Sequence, residues 1–212
     1  FHDPDHGRFS RADAEAWIES EPIWSLAERH DIRAAAYFWV GSEGPWTGGL
    51  GPSEFREFSS RTLEKTKVNR ILEWLSEPDS AKRPQLITAW FHGADHAAHN
   101  HGPDAEEVGA ALAPQDRQIA RLVLEMEERR LFETTTLIFV SDHGMTEAET
   151  LFDLGAAMRR AGVKASVIGI GGFSSVVFKE AKARKYQVET ALRVAREAGL
   201  EAWARNDAPA DW

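Results

Sequence analysis

Apolar positions along the chain alternate between two periods. Near-continuous apolar runs at Ala34–Val40, Gln85–His92 and Thr135–Ser141 read as β-strands, and the stretches Ser53–Leu75 and Glu106–Arg130 between them read as helices. In the first helical stretch Phe55, Phe58, Leu63, Val68, Ile71, Leu72 and Leu75 follow mostly three- and four-residue steps. Leu112, Ile119, Leu122, Val123 and Met126 do the same in the second. The order β-α-β-α-β gives each helix one face to bury on a sheet. Leu86 to Phe91 and Thr136 to Val140 are apolar at nearly every position, as expected of strands covered by helices on both faces. The pattern predicts an α/β fold with a doubly wound, mostly parallel sheet. Past residue 150 the rhythm changes to a helix near Thr150–Ala161, short strands at Ala165–Ile170 and Ser175–Lys179, a helix near Lys185–Ala198, and then Glu201–Arg205. The expected organisation is therefore a core portion over 1–150, carrying the metal-ligand loops, and a smaller α+β lobe or continuation of the core over 151–212. Gly169-Ile170-Gly171-Gly172 superficially suggests a phosphate loop, but the strand-like Ser175-Val176-Val177-Phe178 follows where a helix N-terminus is needed. A hairpin turn is expected there, and the long loops are expected at Gly41–Pro52 and Ser76–Arg83.

Composition narrows the function. Across 212 residues, 25 Lys and Arg stand against 34 Asp and Glu, a net charge of −9 that argues against a wide face gripping phosphate backbones. No nucleic acid polymer is expected as a partner. No run reaches the roughly 18 apolar residues that a bilayer span requires. The absence of cysteine excludes disulfides, thiolate catalysis and thiolate zinc sites, so any metal must be held by imidazoles and carboxylates. The chain starts at Phe1 without a Met and stops at Trp212 in mid-composition, which reads as an interior piece of something longer. Eight tryptophans are rich for this length, and most are expected in packing.

The candidate chemistry gathers just past two of the strands. His92, Asp95, His96, His99 and His101 follow the second, and Asp142 and His143 follow the third. In open parallel sheets the ligand crevice lies beyond the carboxyl ends of the strands, so these two clusters are expected to converge. Asp95 and His99 are four residues apart and meet one ion if that stretch forms a helical turn. Asp142 and His143 are adjacent and need a turn past the strand end to face the same way, which Gly144 permits. His92, His96 and His101, taken singly, read as loop or packing residues. A Ser-His-Asp triad at Ser141-Asp142-His143 is excluded, because consecutive side chains cannot form that hydrogen-bonded line. A glycosidase-type carboxylate pair leaves the histidines without a role. Metal binding accounts for more of these residues.

The segment Asp95-His96-Ala97-Ala98-His99-Asn100-His101-Gly102-Pro103 resembles the Asp-x-x-Gly-His-x-x-Gly-Pro motif of type I phosphodiesterases/nucleotide pyrophosphatases, in the alkaline phosphatase superfamily. Ser141-Asp142-His143-Gly144-Met145 resembles the second signature of that family, and Glu21-Pro22-Ile23-Trp24 and Phe38-Trp39-Val40-Gly41-Ser42 match it in the same order. The resemblance is good over residues 1–145 and looser beyond. It implies an alkaline phosphatase-like sheet and two zinc ions, with Asp95 and His99 as ligands of one and Asp142 and His143 as ligands of the other. It also implies that Trp90 stands where the family often has a Tyr packing on the substrate's base or leaving group. Ala98 departs from the motif's Gly and is expected to place a Cβ at a tight turn. The family's nucleophile, an Asp ligand and an Asn on the phosphoryl oxygen all lie upstream of residues resembling Phe1-His2-Asp3-Pro4. A further His ligand lies downstream, whereas no His follows His143 here.

The implied activity is zinc-dependent hydrolysis of a phosphodiester or pyrophosphate in a nucleotide-type small molecule, with this chain as a partial catalytic domain that is inactive alone. Two alternatives remain open at this stage. One is a phosphomonoester or phosphonate hydrolase of the same superfamily. The other is a non-catalytic metal-binding or interaction domain. The resemblance also implies an extracytoplasmic location, periplasmic or secreted. Self-association is expected if missing strands leave an apolar edge uncovered.

Overall fold

The computed structural model describes residues 2–3, 7–8, 17–46, 49–169, 171–178 and 185–209. The chain divides into two compact units, Phe9–Glu147 on the one hand and Ala148–Trp212 with Phe1–Arg8 on the other. In the second unit the short strands β1 (His2–Asp3) and β2 (Gly7–Arg8) pair antiparallel.

In the unit Phe9–Glu147, helix α1 (Ile23–Arg29) runs into strand β3 (Ala34–Tyr37). All four residues of β3 are buried, and three of them are alanines. β3 is the middle strand of a parallel three-stranded sheet, with β4 (Glu54–Arg56) on one side and β5 (Leu86–Ala89) on the other. The register is fixed by Ala36 opposite Phe55 and Thr88. One carboxylate ties three elements together, because Glu28 Oε1 on α1 accepts from the backbone N–H of Ala34 at 2.7 Å and of Ser53 at 2.8 Å.

Helix α2 (Glu64–Leu75) carries Val68, Ile71, Leu72 and Trp74 into the core, and its Trp74 Nε1 donates to Glu54 Oε2 at 2.8 Å. Helix α3 (Gly93–His101) follows β5, and the long helix α4 (Glu106–Glu128) packs against both α2 and α3. Leu122 and Met126 of α4 meet Tyr37, Phe38, Val68, Ile71 and Leu72 in the main hydrophobic cluster. Gly93, the first residue of α3, faces Gln115 of α4. A Cβ built there would stand 2.8 Å from Gln115 Nε2, so only a residue without a side chain fits unless Gln115 moves.

Two expected elements differ. The helix expected over Ser53–Leu75 begins only at Glu64, and Phe55 belongs to β4. Phe55 and Phe58 fit a three-residue step by coincidence, while a turn at Ser60–Arg61 and an extended Leu63 (φ −71°, ψ 145°) delay the helix. The strand expected at Thr135–Ser141 does not form. A strand is stable only when its N–H and C=O groups find a neighbour, and among the described residues none pairs with this stretch. Leu137 packs against the main cluster, whereas Ile138, Phe139 and Val140 are 74%, 59% and 74% exposed.

In the second unit, α5 (Leu154–Arg160) is capped by Asp153, which accepts from the Ala156 N–H at 2.7 Å. Strands β6 (Ala165–Ile168) and β7 (Ser175–Phe178) form the expected antiparallel hairpin. At its turn Gly169 has φ 137°, and a Cβ would come within 2.5 Å of the Phe173 carbonyl oxygen. Helix α6 (Lys185–Glu197) closes a small core of Leu154, Met158, Val163, Ala191 and Ala195.

Candidate metal and substrate site

All four predicted metal ligands lie within the unit Phe9–Glu147. Asp95 is on the first turn of α3, where the helix dipole favours a carboxylate. His99, one turn later, brings its Nε2 to 3.3 Å from Asp95 Oδ1. His143 arrives from the far end of the unpaired stretch, and its Nε2 lies 3.8 Å from the same Asp95 oxygen and 3.6 Å from Asp142 Oδ2. The structure thus brings Asp95, His99, Asp142 and His143 together. Asp95 Oδ1 itself is buried and accepts no hydrogen bond. An anionic oxygen in that state is poorly satisfied by protein alone, and a cation is the partner its chemistry calls for.

The loop at the second pair is held locally. Ser141 Oγ donates to the His143 carbonyl at 2.6 Å, and the His143 N–H donates to Asp142 Oδ1 at 3.0 Å. His143 Nδ1 lies 2.8 Å from the Gly144 carbonyl oxygen. A carbonyl can only accept, so Nδ1 carries the proton and Nε2 presents its lone pair toward Asp95 when the ring is neutral. The Gly144 carbonyl, followed by Asp142 and Asp95, raises the His143 pKa above the ordinary histidine value.

His96 and His101 stay outside this group. Asn100 Nδ2 donates to the His96 carbonyl at 2.8 Å, and His101 Nδ1 stands 3.8 Å from Glu107. Ala98 lies inside helix α3 and is buried, so its Cβ sits in ordinary helical geometry rather than at the tight turn expected for it.

Trp90, at the end of β5, joins an aromatic group. Its ring lies 5.5 Å from Phe58 and 5.5 Å from His92, and Phe58 stands edge-on to His92 at 5.0 Å. Phe38 completes the group at 5.4 Å from Phe58, from a left-handed backbone position (φ 62°) that is rare for a bulky residue. Behind the group lies a feature the sequence did not disclose. Lys67 of α2 is fully buried, with Glu64 Oε2 at 2.9 Å, the Trp90 carbonyl oxygen at 3.1 Å and His92 Nδ1 at 3.3 Å. Within Lys65-Thr66-Lys67 it reads as solvated surface, and only its place on the apolar face of α2 beside Val68 and Ile71 hints otherwise.

Comparison with known proteins agrees with the motifs. The family model described as type I phosphodiesterase / nucleotide pyrophosphatase matches residues 1–210. An uncharacterised pyrophosphatase/phosphodiesterase of Schizosaccharomyces pombe is 34% identical over 152 residues, which are 68% of this chain and 31% of that protein. Venom phosphodiesterase 2 of Crotalus adamanteus is 35% identical over 132 residues, 62% of this chain and 16% of its own length. The chain therefore spans about a third or less of these curated relatives. Murine ectonucleotide pyrophosphatase/phosphodiesterase 5 superposes with a TM-score of 0.80 at 20% identity, covering all of this chain and 56% of that one. An inactive variant of the same murine protein, solved in complex with AMP, superposes at 0.76 with 20% identity, covering 93% of this chain and 52% of that one.

Proposed function

The chain belongs to the type I phosphodiesterase / nucleotide pyrophosphatase family, and from that premise we propose that it supplies metal ligands and part of the substrate wall of a hydrolase cleaving nucleotide-type phosphodiesters or pyrophosphates. The observation that carries this reading is Asp95 Oδ1, a buried acceptor without a hydrogen bond that has two imidazole Nε2 atoms within 3.8 Å. Carboxylates and imidazoles suit zinc in kind. As arranged, however, no group of three or more such residues among those described could hold an ion. The chain spans about a third or less of its curated relatives, and on this reading it contributes part of a donor set completed elsewhere in the longer protein.

Asp95 and His99 would hold one zinc, and Asp142 and His143 the other. Bound zinc supplies Lewis-acid neutralisation of charge on the transferring phosphoryl group. The chain's own residues prepare for it. The Gly144 carbonyl fixes the His143 tautomer with Nε2 free, and α3 holds Asp95 and His99 on one face. Trp90, with the tilted Phe58 ring beside it, offers an aromatic surface for a nucleobase or aromatic leaving group. Relatives named as pyrophosphatases and phosphodiesterases favour this reading over a simple monoester or a phosphonate. Relatives named as venom and ecto-enzymes support an extracytoplasmic setting, periplasmic or secreted. Among the described residues no helix is long and apolar enough to cross a membrane.

The test is zinc content and phosphodiester turnover of the longer protein, wild type against Asp95→Asn. Zinc and activity should fall together. Full turnover by Asp95→Asn with its zinc stripped would refute the assignment.

A further inference from the structure

A buried ammonium group needs a partner for each of its three N–H bonds, and Lys67 has three partners on two pieces of chain. Glu64 Oε2, one turn earlier on its own helix, is its ion-pair partner at 2.9 Å. The carbonyl of Trp90, at the end of β5, takes one N–H at 3.1 Å, and His92 Nδ1, immediately before α3, takes another at 3.3 Å. The rings of Phe38 and Phe91 flank the charge at 5.3 and 5.2 Å, where their π faces attract a cation. Gln115 Nε2 of α4 approaches the other Glu64 oxygen at 3.4 Å. The cation thus ties α2 to the two residues on either side of Phe91, in the short connection from the β5 end to the first turn of α3.

We propose that Lys67 is a positioning residue for the reaction: by donating to the Trp90 carbonyl and to His92 Nδ1 it fixes the substrate-facing Trp90 and the start of the helix that carries Asp95. The inference rests on the functional reading above and deepens it. A lysine ammonium has no lone pair, so His92 Nδ1 is the acceptor and the neutral His92 ring carries its proton on Nε2. Burial and the neighbouring Lys67 charge both lower the His92 pKa, with Glu64 and Asp95 opposing and His96 adding to the decrease. The ring therefore stays neutral and the contact persists at physiological pH. Only the backbone carbonyl of residue 90 is gripped, so the Trp90 side chain stays available on the aromatic face.

The experiment uses the longer protein carrying Lys67→Met, which keeps the apolar stem and removes the charge. A phosphodiester with an aromatic leaving group should show KM raised and kcat lowered, each by about 10-fold or more, in the range found when residues that orient ligands are lost. A merely structural role would reduce the active fraction and leave KM unmoved. His92→Phe keeps a ring in the cluster but removes the acceptor, and should move KM in the same direction if Lys67→Met fails to fold. Ring ¹⁵N spectra of wild-type His92 should report a bare Nδ1, and a proton on Nδ1 would overturn the proposal. His99→Ala runs in parallel. If it abolishes turnover while Lys67→Met keeps KM and kcat within about twofold, the positioning role is refuted and the functional reading stands. If His99→Ala is fully active, the functional reading fails, and the His92 spectra still test the Lys67 contact.

Discussion

Asp95 and His99 ride on a helix, whereas Asp142 and His143 ride on a stretch with no regular structure, although both pairs reach the same spot. On the helical side the backbone is hydrogen-bonded, α4 packs behind it, and Gly93 lets the two helices close. On the other side only Leu137 is anchored in the core, and the loop holds its shape through Ser141, Asp142 and Gly144 contacts spanning one or two residues. The difference separates two ways of aiming a ligand. One uses tertiary packing that exists before any ion arrives, and the other uses local bonds that position a side chain without fixing the segment that carries it.

The largest effect should come from the helical arm. In the longer protein His99→Ala should cost more than about 100-fold in phosphodiester turnover. His101→Ala should stay within the ~10–100-fold typical of residues around a ligand or below it. Equal losses would erase the distinction between ligand and neighbour on α3.

The next contrast concerns stability. Met126 is fully buried beneath the sheet, and Met126→Ala should cost about 2–5 kcal/mol in chemical denaturation. Phe139→Ala should cost no more than about 0.5 kcal/mol, because the side chain is largely exposed. The same exposed Ile138, Phe139 and Val140 should make the isolated chain self-associate, and Phe139→Ser should weaken that association in light scattering. A monomer at all concentrations would contradict this.

Hydrogen exchange reads the contrast directly. Amides of α2 should exchange only through large openings, while those of Ile138 to Val140 should exchange with opening energies near zero. Strong protection over Ile138–Val140 would mean that a partner strand is present after all.

The smallest expected effect is titration at His143. In the metal-free chain it should titrate above the ordinary histidine value, because the Gly144 carbonyl and the two aspartates favour the charged ring. With the folded pKa raised, the associated stabilisation is complete below the unfolded value and is lost as pH rises through the folded one. Asp142→Asn should bring the midpoint down, and an NMR titration in which it does not would remove Asp142 as a cause.

Much of this was legible in the residues. The apolar runs located β3 and β5, the three- and four-residue steps located α4, and the post-strand placement located Asp95 and His99, whereas Asp142 and His143 reach the same spot with no strand before them. The failures share a cause. Thr135–Ser141 has the composition of a buried strand, but composition records a tendency and pairing requires a neighbour. Phe55 and Phe58 satisfied a helical step because two residues three apart satisfy many patterns. Lys67 was invisible because a lysine's type predicts exposure, and its burial depends on acceptors contributed from Trp90 and His92, which no local window contains.

Gly93 makes the spacing of α3 and α4 depend on a second residue. A single added methyl group would collide first with the Gln115 amide, which stands beside Glu64, and would be transmitted to Asp95 only through the shift of the helix. An alanine at position 93 therefore needs the Gln115 amide to swing aside, so tolerance of the gap between the helices is set by the freedom of one side chain on α4 rather than by position 93 alone.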